Sequence, residues 1–267
     1  MRNPLARRER KIRIASIDTI KLDGRFLPIR RPRASVLLVH GFSVDLHEEG
    51  AFDRLATGFA ESGIAVARFS FRGHGASLGT QDGMTIAGER LDVTAAYRWM
   101  TRNSSPPHVI VAASFGAVST LLQSQALRPK PLRLVLWNPV LDLTKVFVRP
   151  VTEWGRRNFG NEANKTALEQ GYSLVDDAFR VGQVFLDEVK QYGGNLGLLH
   201  LRGIPTLVFH GTRDTYVPIA STRALAKMST VCIIEVSGSD HGFPNANHET
   251  LVLKKTVAWL ENITGKT

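Results

Sequence analysis

The stretch VAASFGA, residues 111–117, decides how this chain is read. Behind it, Pro106-Pro107-His108 leads into the apolar run Val109-Ile110-Val111-Ala112-Ala113, and ahead of it residues 118–126 carry a helical pattern. An apolar run bounded in this way predicts a short buried strand that passes straight into a helix. Ser114 stands at the joint. It is either a small residue where a strand meets a helix or a nucleophile held out on a sharp turn, and the rest of the chain decides between the two.

The same unit recurs in both directions. Ser35-Val-Leu-Leu-Val39 and residues 64–71, 132–137, 206–209 and 231–236 are short runs rich in Val, Ile, Leu and Phe, and helical patterns occupy 52–62, 87–100, 220–227 and 248–263. Runs apolar on both faces belong in a covered parallel sheet. Strand and helix alternating over most of the chain predict an α/β fold with a doubly wound, mostly parallel sheet. Residues 11–18 and 25–30, on either side of the turn signal Asp23-Gly24, predict an antiparallel entry hairpin.

One interval breaks the alternation. Residues 143–199 show no strand-like run but carry seven aromatics, Phe147, Trp154, Phe159, Tyr172, Phe179, Phe185 and Tyr192. Val181, Phe185, Val189 and Tyr192 share one face at helical spacing. An insertion of this size after a sheet strand predicts a helical cap over the strand ends, where open α/β sheets place their ligands. Most of its aromatics then pack as core and a few line a pocket. The expected organisation is a basic arm and entry strand over 1–20, a core over 21–142 and 200–267, and the cap over 143–199.

A chain of 267 residues with 43% apolar content can bury a sizeable core without covalent staples. Its single cysteine, Cys232, lies in VCIIEV and is predicted to be a buried strand thiol, which excludes a disulfide framework or a cysteine metal site. No stretch approaches the roughly 18 apolar residues of a membrane span, and the first residues lack the apolar segment of a secretory signal. The expectation is a soluble protein of a reducing, cytoplasmic compartment. The net charge of +10 is concentrated at one end: residues 1–33 hold eleven Lys or Arg against three acids, a net of +8. Such an arm is either a solvated extension or a means of steering toward an acidic carrier protein or an anionic surface. No recognition helix, zinc finger or stacking platform accompanies it, so nucleic-acid binding is not expected.

Polar chemistry collects at four predicted strand ends: His40-Gly41-Phe42-Ser43, Ser114-Phe115-Gly116, His210-Gly-Thr-Arg-Asp214-Thr-Tyr-Val-Pro218, and Asp240-His241-Gly-Phe243. In these segments and in their order the chain resembles the α/β-hydrolase family, over nearly all of its length past about residue 20. The resemblance implies a nucleophile, an acid and a histidine in that chain order. Ser114 would be the nucleophile, because a serine hydroxyl is weak until it is exposed on a strained turn and deprotonated by a neighbouring base. The family pattern Gly-x-Ser-x-Gly reads here Ala112-Ala113-Ser114-Phe115-Gly116, with alanine for the first glycine. His241 would take the proton and return it to the leaving group. Asp214 would hold the tautomer of His241 and stabilise its charged form; Asp142, after the strand ending in Trp137, is the alternative acid. Asp240 is not expected to serve, since a sequence neighbour does not easily fold back under the ring. His40, His74 and His210 are read as shaping their loops.

The backbone N–H groups of Phe42 and Phe115 would form the oxyanion hole. Serine as nucleophile sets the chain apart from the aspartate-nucleophile branches of the fold. No dinucleotide loop or metal cluster is evident, so no cofactor and no metal are expected. The implied function is cleavage of a carboxylic ester or acyl thioester through an acyl-enzyme. The alternatives are acyl transfer to an acceptor other than water, or a catalytically silent binding protein on the same fold.

Overall fold

The computed structural model describes residues 9–194 and 196–261; residues 1–8 of the basic arm and the last residues of the 248–263 helix lie outside the described residues. In chain order the first half contains β1 (Arg10–Ala15), β2 (Lys21–Leu27), β3 (Ala34–Val39), α1 (Ala51–Glu61), β4 (Ile64–Phe69), α2 (Ile86–Asn103), β5 (His108–Ala113), α3 (Gly116–Ser124) and β6 (Arg133–Trp137). The inserted segment follows with α4 (Glu153–Phe159), α5 (Asn161–Gln170), β7 (Tyr172–Val175), β8 (Phe179–Gly182), α6 (Gln183–Tyr192) and α7 (Leu196–His200). The chain closes with β9 (Thr206–Gly211), α8 (Ala220–Arg223), β10 (Val231–Val236) and α9 (Ala246–Glu261).

Eight strands form one sheet in the order β1-β2-β4-β3-β5-β6-β9-β10. β2 runs antiparallel to both β1 and β4; from β4 to β10 every pairing is parallel. This is the α/β doubly wound, mostly parallel architecture expected from the alternation of runs. Side-chain alternation along each strand feeds two cores. Leu37, Val39, Ile110, Ala112, Leu134 and Leu136 face α2, α3 and the insertion. Val36, Leu38, Val109, Val111 and Val135 face α1 and α9. The helices match: Phe52, Leu55, Ala56 and Phe59 of α1 are buried at helical spacing. At the start of α2, the Thr85 hydroxyl accepts from Gly88 N–H at 2.9 Å.

Chain order places the site. After β3 the chain steps to β4 on one side, then crosses back to β5 on the other, so the loops leaving β3 and β5 diverge from adjacent strand ends. In an open α/β sheet that switch point is a natural crevice.

Three expectations are corrected. The entry hairpin turns at residues 16–20, where Ser16 N–H donates to Ile20 O at 2.8 Å, and Asp23-Gly24 lies inside β2. Gly24 is there for close approach: a Cβ would stand 2.9 Å from Ile12 Cγ1 and 3.0 Å from Arg68 O. Cys232 is exposed, because β10 is the edge strand and has only β9 beside it. The insertion is not purely helical, for β7 and β8 form an antiparallel hairpin. Asp176 and Asp177 turn it with positive φ of 50° and 57°, the backbone of a tight hairpin turn. Val181 consequently belongs to β8, while Phe185, Val189 and Tyr192 lie on α6.

The insertion is fastened to the core. The Glu188 carboxylate of α6 accepts from the Ile86 and Ala87 N–H groups at the first turn of α2, where negative charge is favourable. No helix among the described residues is long and apolar enough to cross a membrane.

Candidate active site

Ser114 is the first residue beyond β5 and has a φ of +46°, a left-handed conformation that costs a non-glycine residue energy. Neighbouring backbone holds it there: Ser114 N–H donates to Trp137 O at 2.8 Å, and Ser114 O accepts from Val140 N–H at 3.1 Å. The sharp turn brings α3 hard against the β3 loop. A Cβ on Gly116 would stand 2.2 Å from His40 O and 2.8 Å from Val39 O, backbone atoms that cannot swing aside. Ala112, by contrast, is fully buried within β5 opposite Val39 and keeps its methyl in the core. The two small positions around the serine are therefore unequal, and alanine is accommodated at the first. Gly116→Ala is expected to cost about 3 kcal/mol or more of folding stability, the upper range for an overpacked site. A urea unfolding midpoint that does not move would contradict this.

His241, in the loop between β10 and α9, reaches back to the serine. Its Nε2 lies 3.0 Å from Ser114 Oγ, and its Nδ1 lies 2.8 Å from Asp214 Oδ2. With Nδ1–H donating to the carboxylate, Nε2 is the bare acceptor facing the hydroxyl. Asp214 follows β9 and is saturated with donors, its Oδ1 accepting from Tyr216 N–H at 2.9 Å and Val217 N–H at 2.7 Å. His210 Nε2 stands 3.2 Å from Asp214 Oδ2, and its Nδ1 faces the Thr222 hydroxyl at 2.8 Å. Burial pushes the Asp214 carboxyl up, but the facing His241 and the hydrogen bonds from both histidines outweigh it and hold the group well below the usual carboxylate range. For His241 burial works against the charged form, and Asp214, through its charge and its hydrogen bond, raises the pKa above its ordinary value. The imidazole is thus disposed to accept a proton.

The apolar side of the site is a recess of about 190 Å³ whose walls include Phe42, Val140, Val146, Phe147 and Trp154, and which Ser114 and His241 also line. Phe42 packs on Phe115 at 5.2 Å between ring centroids and against Phe147, Phe159, Phe179 and Phe185. Among the described residues no protein group accepts from the backbone N–H of Phe42 or Phe115, and both residues line the recess. Two free amides beside a serine are what a developing oxyanion requires.

The structure brings Ser114, His241, Asp214, Phe42 and Phe115 together. It leaves Asp142 apart: that carboxylate accepts from Lys145 N–H at 3.1 Å and lies 3.2 Å from Lys145 Nζ. His40 is buried, its Nε2 accepting from Phe71 N–H at 2.9 Å, and His74 Nδ1–H donates within its own turn to Arg72 O at 2.9 Å. Burial pushes both well below their ordinary values, His74 to about 4, and neither touches the serine. Of the insertion's aromatics, Phe147 and Trp154 line the recess, Phe159, Phe179, Phe185 and Tyr192 pack in or on the core, and Tyr172 lies 3.9 Å under the Arg180 guanidinium. Among the described residues there is no cluster suited to a metal ion.

Three contributors escape sequence reasoning. Asp240 ties the acid loop to the histidine loop, its Oδ1 accepting from Thr215 N–H at 2.8 Å and His241 N–H at 2.7 Å. Tyr216 stacks on the His241 ring, with centroids 5.0 Å apart and planes 19° from parallel, and the Trp154 ring lies 4.8 Å from that of Tyr216. Glu48 accepts from Gly41 N–H at 2.7 Å and borders the recess. Tyr216, inside the 210–218 loop, and Asp240, beside His241, carried a signal from their surroundings; Glu48 carried none.

The family model described as "Alpha/beta hydrolase family" matches residues 36–253. Among solved structures the chain is similar to alpha/beta hydrolase domain-containing protein 10 from mouse (19% identity, TM-score 0.72, covering 95% of this chain and 99% of that one). It is also similar to Est1E from Butyrivibrio proteoclasticus with ferulic acid bound (16%, 0.73, 95% and 99%). A third is the esterase Pf2001 from Pyrococcus furiosus (18%, 0.72, 95% and 91%). No curated protein matches the chain. At these identities the solved structures speak for the fold, and the family model, spanning most of the sequence, shows that the chain belongs to the alpha/beta hydrolase family.

Proposed function

We propose that the protein is a serine hydrolase that cleaves a carboxylic ester or acyl thioester through an acyl-enzyme. The observation that carries this reading is the continuous contact Ser114 Oγ, His241 Nε2, His241 Nδ1, Asp214 Oδ2, at 3.0 and 2.8 Å, opening onto an apolar recess with two free amides. Ser114 Oγ attacks the acyl carbonyl as its proton passes to His241 Nε2. Phe42 N–H and Phe115 N–H take the oxyanion. The imidazolium, held by Asp214, returns its proton to the leaving alkoxide or thiolate. Water then attacks the acyl-Ser114 ester by the same route in reverse, releasing the acid and restoring the serine hydroxyl.

The apolar walls suit a hydrocarbon or aromatic acyl group, and the ferulic acid held by Est1E and the esterase from Pyrococcus furiosus support an ester. The basic stretch adds a narrower reading, an acyl donor with an anionic handle or on an acidic carrier. Part of that charge is used internally, since Arg13 and Arg25 pair with Asp23 at 3.2 and 3.0 Å, while Arg10, Lys11, Arg30 and Arg31 are exposed. The test is a panel of acyl esters and thioesters, free and carrier-linked, at low and high salt, with the acyl-enzyme followed by intact mass. A stoichiometric adduct on Ser114 with turnover is expected. Refusal of a fluorophosphonate by the folded protein would favour a binding role, and acyl product formed only with an added amine or alcohol would favour a transferase.

A further inference from the structure

A second recess meets the first at the same catalytic atoms. Its walls include Glu48, Arg54, Trp137, Asn138 and Glu249, and it shares Ser114, His241 and Glu48 with the apolar recess. Glu48 therefore stands where both open onto the candidate nucleophile, and nothing in the reaction as written above uses it.

Its placement is built. Glu48, Glu49 and Gly50 have consecutive positive φ values of 45°, 52° and 87°, a run that two glutamates adopt only when their surroundings impose it. That left-handed turn presents the Glu48 carboxyl to the loop leaving β3. Oε2 accepts from Gly41 N–H at 2.7 Å. A Cβ on Gly41 would stand 3.2 Å from Glu48 Oε1 and 3.0 Å from Ser114 Cβ, so carboxyl and nucleophile flank one glycine Cα. The peptide that follows carries Phe42 N–H, one of the two amides assigned to the oxyanion.

We propose, resting on the reading of Ser114 as nucleophile, that Glu48 is a positioning residue of the site. It fixes the Gly41–Phe42 segment so that Phe42 N–H stays aimed beside Ser114, and it places an ionisable carboxyl in the field of His241. A loop anchor alone would supply only the first of these. The charged and titratable groups around it are His241 across the recess, Asp45 and Glu49 on its own loop, and Arg54 and Glu249, which pair with each other at 2.6 Å. Burial pushes Glu48 up to about 7, against the Gly41 N–H and His241, which favour its charged form. In return its charge is among the influences that raise His241. The acid limb of the rate therefore reports His241 with the Glu48 carboxyl beside it.

The experiment compares Glu48→Gln and Glu48→Ala with the unaltered protein on one ester substrate, recording kcat, KM, thermal midpoint and the pH profile of kcat/KM. Gln keeps an oxygen for Gly41 N–H but carries no charge. Its kcat is expected to stay within a few-fold, with the acid limb moved to lower pH by about half a pH unit, because His241 loses a neighbouring anion. Ala is expected to lower kcat about 10- to 100-fold with KM nearly unchanged, as for a group acting in the transition state. If Ala does not fold, the Gln profile decides alone. A Gln profile that superimposes on the unaltered one, a Gln loss as large as that of Ala, or an Ala kcat within twofold overturns the proposal and leaves Ser114 untouched. No turnover by the unaltered protein overturns the reading of Ser114 and Glu48 together.

Discussion

Ser114→Ala is expected to lower kcat by about 10⁴-fold or more, the scale seen when a nucleophile of this kind is deleted, while the fold survives. Survival follows from how the residue is held. The backbone bonds to Trp137 and Val140 do not involve the hydroxyl, and its side-chain neighbour in the described bonds is His241. Alanine at a φ of +46° carries much the same steric burden as serine, so unfolding curves should nearly coincide. The expected loss is chemical: without Oγ there is no acyl-enzyme, and His241 Nε2 has no proton to take. Residual turnover would come from water attacking a carbonyl polarised by Phe42 and Phe115 N–H, which remain. Intact mass after a fluorophosphonate should show one adduct on the unaltered protein and none on the variant. Near-normal kcat in a folded Ser114→Ala protein would remove the serine from the reaction.

The central sheet was legible because strands covered on both faces leave a plain mark, a continuous apolar run such as Val109–Ala113 or Ser35–Val39. Where burial is one-sided or the strand is short, the mark fades. β7 and β8 are only four residues each, and they turn on Asp176-Asp177 without the Asn-Gly or Asp-Gly that usually signals such a turn. Asp23-Gly24 is the opposite case, a turn signal spent inside a strand, because Gly24 makes room for Ile12 and for the backbone of β4. Cys232 misled for a related reason: VCIIEV has core composition, and only sheet order reveals an edge strand.

The candidate site divides in the same way. Residues at strand ends announced themselves, since each follows an apolar run and the loop chemistry is compact. Residues that act from one loop onto another did not. Glu48-Glu49-Gly50 before α1 has the composition of a solvated helix start, and its contact with Gly41 exists only because the chain doubles back. Asp240 is such a residue: its carboxylate ties Thr215 to the His241 backbone.

Asp214→Asn should be the second most damaging change, lowering kcat by about 10⁴-fold, and the loop amides explain why. Asparagine offers one oxygen and one NH2 where aspartate offers two oxygens. Tyr216 N–H and Val217 N–H, at 2.9 and 2.7 Å, both donate to Oδ1, so the amide oxygen must take that side. The NH2 is then turned toward His241 Nδ1, which has to become an acceptor, and the ring proton moves to Nε2. There it points at Ser114 Oγ and the imidazole cannot receive the serine proton. The same NH2 meets His210 Nε2, which also aims at Oδ2 at 3.2 Å. A donor facing a donor adds roughly 1–3 kcal/mol of destabilisation, so kcat is to be read at a temperature where unfolding curves show the variant folded. Asp142→Asn is the control. Its carboxylate serves Lys145 on the turn after β6, and kcat should stay within about twofold, the effect of a change remote from the chemistry. The reverse result, with Asp142→Asn crippled and Asp214→Asn active, would transfer the acid's role to Asp142.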